Sequence, residues 1–138
     1  MYKYFGLIVG VVMAVMPAQS AEWTEATCND TMGGTLVTTG GKTFCQAKAR
    51  MNWWTACAWC EGIGGYLPSI KELCPTREIT NSADCDFTYS AVGDWQEGGP
   101  WSSTPIAAGS TKMWFLLQGH LFRQTERTSS HGVVCLKK

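Results

Sequence analysis

Residues 53–70 read Trp-Trp-Thr-Ala-Cys-Ala-Trp-Cys-Glu-Gly-Ile-Gly-Gly-Tyr-Leu-Pro-Ser-Ile, and this stretch constrains the fold more than any other. Asn52 is a predicted N-cap. Trp53, Ala56, Cys57 and Cys60 follow at i, i+3, i+4 and i+7, so they share one helical face, predicted to turn toward the core. Gly62, Gly64 and Gly65 end the helix. Leu67 then leads into a second, short helix. Ser69 with Glu72 three residues on forms a capping box, and Pro75 stops the helix soon after it starts. A helix with two cysteines on its apolar face reads as one stapled to a distant part of the chain.

The cysteine count supports that reading. Seven cysteines stand at positions 28, 45, 57, 60, 74, 85 and 135, all beyond the first 27 residues of a 138-residue chain. A domain this size buries only about two thirds of its surface and gains much from cross-links. Such a chain reads as a disulfide framework if it is exported. The N-terminus points to export. Lys3 precedes an apolar run over residues 5–16, Pro17 breaks it, and Ala18-Gln19-Ser20-Ala21 supplies small residues. That is the layout of a secretory signal peptide. Cleavage after Ser20 satisfies the small-x-small rule, whereas cleavage after Ala21 puts Gln19 at the less suitable position. The run is well short of the ~20 residues a membrane span needs. The expected organisation is a signal peptide over 1–21 and one domain over 22–138. The location is extracellular, on the cell surface or periplasmic.

Residues 35–39, Gly40-Gly41 and residues 42–45 read as a β-hairpin, because β-branched residues flank a pair able to take positive φ. Residues 76–100 show no convincing period and are rich in turn formers, the mark of a long irregular segment. Residues 113–118 form a predicted strand, Gly119-His120 a turn, residues 121–125 the returning strand, and residues 133–136 a last buried strand. Helices early and antiparallel strands late make an α+β domain. Trp53 and Trp114 are expected in the core.

Eleven basic and eleven acidic residues balance, with no basic run or basic amphipathic stretch. Nucleic-acid and membrane-surface partners are therefore not expected. Cys57-Ala-Trp-Cys60 is formally a C-x-x-C, but a redox pair needs an exposed, low-pKa thiol at a helix N-terminus, and these two fall within the helix on its inner face. No second C-x-x-C and no paired histidines complete a zinc set. His120 and His131 are expected as surface loop residues, with no nucleophile motif beside them.

Trp53, Ala56, Cys60, Gly64-Gly65, Leu67 and Ile70 together resemble the first-helix pattern of the C-type lectin-like domain. The later Trp101-Ser-Ser-Thr104, the strand with Trp114 and the closing Val133-Val-Cys135 are similar to a bacterial branch of that fold found in exported proteins. The resemblance spans about residues 43–138. It implies a C-type lectin-like fold and a disulfide from Cys60 to Cys135. A short loop at the base of the irregular segment suits Cys74–Cys85, and Cys28–Cys45 would tie an N-terminal strand to the hairpin. Connectivity is not proved by sequence, and Cys57 is left over. Calcium-dependent sugar-binding members carry Glu-Pro-Asn or Gln-Pro-Asp and then Trp-Asn-Asp, and this chain has neither. Ca²⁺ takes about six to eight oxygen ligands. Asp84, Asp86, Asp94 and Glu97 are too scattered to promise them, so no metal or cofactor is expected.

Trp95 and Trp101 flank Gln96-Glu97-Gly-Gly-Pro100. A tryptophan offers a broad apolar face with a polar N–H, suited to a sugar or protein surface. Trp95, Glu97 and Trp101 are the candidate ligand contacts, with Trp101 the more inclined to pack in the core. The expected function is a binding or adhesion module for a carbohydrate or protein ligand, not an enzyme. The alternative is a structural or assembly component of a bacterial surface appendage. A catalytic reading would need a polar cleft joining His120 or His131 to Cys57 or an acid.

Overall fold

The computed structural model describes residues 22–30, 34–79, 85, 87, 99–117 and 121–138. Residues 1–21, including the expected signal peptide, lie outside them, as do Trp95, Glu97, His120 and the loop acids Asp84, Asp86 and Asp94. Among the described residues no helix is long and apolar enough to cross a membrane.

The structure is α+β, with two antiparallel sheets. The first orders β1 (Thr35–Thr39), β2 (Lys42–Gln46), β7 (Val134–Lys137) and β3 (Gly65–Tyr66) as β1-β2-β7-β3. The second is β4 (Trp101–Pro105), β5 (Lys112–Leu117) and β6 (Leu121–Glu126) in sequence order. Two helices, α1 (Trp53–Gly62) and α2 (Ile70–Leu73), lie between β2 and β4 in the chain. The expected hairpin is present, and its turn has φ of +60° at Gly40 and +78° at Gly41. Both central residues of a type I′ turn need positive φ, which a Cβ disfavours.

The caps read from sequence are in place. The Asn52 side chain accepts from the Thr55 N–H at 2.9 Å. Ser69 and Glu72 complete their reciprocal box, with 3.1 Å from Glu72 N to Ser69 Oγ and 2.9 Å from Ser69 N to Glu72 Oε1. Short β3 was not expected. Its Gly65 packs so closely on β7 that a Cβ would strike the Leu136 carbonyl oxygen and sit 2.8 Å from the Trp23 ring. Strand β4 was not predicted either. It returns the chain from the long segment, with Ser103 N donating to Pro68 O at 2.8 Å.

Three disulfides join Cys28 to Cys45, Cys60 to Cys135 and Cys74 to Cys85, and Cys57 is free. These are the expected pairings, although Cys28 lies in a short π-helix (Ala26–Asp30) and not in the expected strand; they fit an oxidising compartment such as the periplasm or the extracellular space. The first two sit in one core with Trp23, Ala56, Trp101 and Val133, and the third in a second core with Phe44, Ile70, Leu116 and Phe122.

Several side-chain expectations need correction. Ala56 and Cys60 form the buried line of α1, while Trp53 and Cys57 flank it half-buried. The Trp53 indole donates to Ser102 O at 3.0 Å, and the Arg127 guanidinium lies 4.7 Å from its ring centre. Trp114 is also half-buried, because strand alternation turns it away from Met113 and Phe115 and edge-on to Phe122. His131 is no surface loop residue. A bridge to Met51 draws it inward, where its ring stacks on Phe115 at 4.0 Å and meets Trp101 edge-on at 4.9 Å.

Candidate functional site

The long segment over residues 76–100 is anchored at both ends. At its departure, Cys74 N donates to Ile70 O at 2.9 Å, and the disulfide ties Cys85 to Cys74 at the end of α2. Cys85 and Phe87 are buried, and Phe87 meets Phe44 edge-on at 5.2 Å. At its return, Pro100 bridges Gly132, Trp101 N donates to Gly132 O at 2.9 Å, and Ile70 N donates to Thr104 Oγ1 at 3.0 Å. Departure and return therefore meet at α2 and form a fastened neck.

A cleft of about 200 Å³ opens at that neck, between the β1–β2 turn and the chain that follows α2. Leu73, Pro75 and the Cys74–Cys85 disulfide supply its apolar wall, and Arg77 its charge. The side chain of Arg77 has no ion-pair partner among the described residues. Of the three candidate contacts, Trp95 and Glu97 lie outside the described residues. Trp101 is corrected: it is 0% exposed and donates its indole N–H to Met51 O at 2.8 Å, so it presents no face to a ligand. Its expected role passes to scaffolding the neck.

The outer side of α1 carries what the sequence reading passed over. Trp54 is 51% exposed and lies edge-on to Trp53, 6.4 Å between ring centres. The signal was present: Trp54 is two residues, or about 200° of helix, from buried Ala56, which puts it on the opposite side. Cys57 lies on the same helix. Burial pushes its thiol pKa up, opposed by the charge of Arg127 and reinforced by Glu61. A thiol held protonated is a poor nucleophile, and Cys60 is bonded to Cys135, so Cys57 and Cys60 do not form a disulfide with each other. His131 has Nδ1 buried without a hydrogen-bond partner, and burial, then the charge of Arg50, lowers its pKa to about 4. No three His, Cys, Asp or Glu side chains gather into a metal-binding group among the described residues.

Comparisons with protein-family models, with curated proteins and with solved structures find no match for this chain.

Proposed function

We propose that this chain is an exported binding or adhesion module of the C-type lectin-like kind, recognising a carbohydrate or protein ligand without calcium through the segment over 76–100. The observation that carries the reading is the fastened neck. A disulfide and a buried aromatic hold the departing chain, while β4 hydrogen bonds hold its return beside α2. Long loops on rigid frames are where binding residues concentrate. Trp95 and Glu97 are the proposed contacts, one an apolar platform and the other an acceptor for hydroxyl or amide donors.

The test is a glycan and surface-protein binding screen on the oxidised protein, with and without EDTA. Binding that survives EDTA and disappears in Trp95→Ala is the expected result. Binding abolished by EDTA would overturn the calcium-free reading. A folded monomer that binds neither library would shift the assignment to a structural or assembly component of a bacterial surface appendage.

A further inference from the structure

A second cleft of about 240 Å³, bordered like the first by the β1–β2 turn and α2, lies between the β2 start, β3, α2 and the end of β7. Tyr66, Glu72, Lys42, Lys137 and Glu22 line it. Glu72 is fixed by two donors: Ser69 N at 2.9 Å holds Oε1, and the Tyr66 hydroxyl at 2.8 Å holds Oε2. Burial first, then Glu72, raises the Tyr66 pKa, so the phenol stays a donor. The Lys137 ammonium lies 5.3 Å from the centre of the Trp23 ring, which restrains it without neutralising it. The one ion pair among the described residues, Lys138 with Glu61, is elsewhere, so Lys42, Lys137, Glu22 and Glu72 border this cleft with no ion pair to another described residue.

That lining selects a ligand class. An apolar ligand would strip water from four charged groups and return no hydrogen bonds. A dianion would meet two carboxylates. A neutral ring carrying several hydroxyls offers donors to Glu72 and Glu22 and acceptors to Lys42 and Lys137. The cleft is smaller than the roughly 300–1,000 Å³ of pockets for drug-sized ligands, and so takes one ring, not a chain. We infer that the cleft between β2, β3, α2 and β7 binds a neutral monosaccharide unit, with Tyr66 and Glu72 orienting its hydroxyls. The inference rests on the carbohydrate branch of the proposed function but assigns a subsite separate from the 76–100 segment.

The test is a titration of the oxidised, isotope-labelled protein with the methyl glycosides of glucose, mannose, galactose and N-acetylglucosamine, followed by amide chemical shifts. Saturable shifts at Lys42, Tyr66 and Lys137 with at least one sugar are expected. Tyr66→Phe and Glu72→Gln should each weaken that binding about fivefold, the effect of one lost hydrogen bond. Glutamine still completes a capping box, so Glu72→Gln keeps α2 intact. Absence of saturable shifts at these amides with all four sugars would overturn the inference, as would shifts that both variants leave unchanged. Trp95→Ala separates the two sites. Binding that Trp95→Ala abolishes while the Lys42, Tyr66 and Lys137 amides never move supports the long-segment reading and overturns this subsite.

Discussion

His131 sits with one ring nitrogen buried and unpartnered between Phe115 and Trp101, and its pKa falls from 6.5 to about 4. Between those two values the unfolded chain binds a proton that the folded protein refuses, so acid favours unfolding and this contribution to stability is lost as pH drops through the window. The melting temperature is expected to fall from pH 6.5 to pH 4 more steeply in the wild type than in His131→Phe, which keeps the stacking and loses the titration. Parallel profiles for the two proteins would refute the buried, neutral ring. Gly65 offers a second single-residue prediction. Gly65→Ala must displace the Leu136 backbone or the Trp23 ring, and the expected loss is about 2–4 kcal/mol by urea unfolding. Neither residue advertises itself in the sequence. His131 follows two serines in what reads as a surface turn, and Gly65 reads only as a helix terminator.

At the level of elements, local rules worked well because the forces are local. The Asn52 cap, the Ser69–Glu72 box and the Gly40-Gly41 turn each depend on residues within a few positions of one another. Asn52→Ala and Ser69→Ala should each cost about 1 kcal/mol in urea midpoint stability, with Glu72→Gln near neutral. A Ser69→Ala protein as stable as wild type would mean that packing of Ile70 and Leu73, not the box, holds α2. Strands β3 and β4 escaped the reading for the complementary reason. The first is two residues long and exists through pairing with β7, and the second carries no clean alternation, only an irregular register with β5.

Across the whole molecule the three disulfides differ in reach. Cys60–Cys135 spans 75 residues, Cys28–Cys45 spans 17 and Cys74–Cys85 spans 11. Loop-closure entropy ranks their stabilisation at about 4.5, 3 and 3 kcal/mol. Replacing Cys60 and Cys135 together by alanine should therefore lower the melting temperature most. Replacing Cys74 and Cys85 should cost less stability yet loosen the neck, and so reduce binding in the screen before it reduces folding. Equal losses in melting temperature from all three pairs would contradict the ranking. Trp101 shows how much the site depends on this scale. In sequence it is a candidate contact inclined toward the core, and the bridge of Pro100 to Gly132 and the indole bond to Met51 O decide for full burial.

What the sequence determined by itself was the α+β class, the caps, the hairpin and the helix line of Ala56 and Cys60, because spacing and local hydrogen bonding act over a few residues. What the tertiary structure decided was which aromatics face water. It buried Trp101, left Trp53 and Trp114 half-covered and exposed Trp54. It also brought Lys42, Tyr66, Glu72 and Lys137 to one cleft from four parts of the chain. Burial and convergence depend on contacts between residues far apart in sequence, and no local pattern records them.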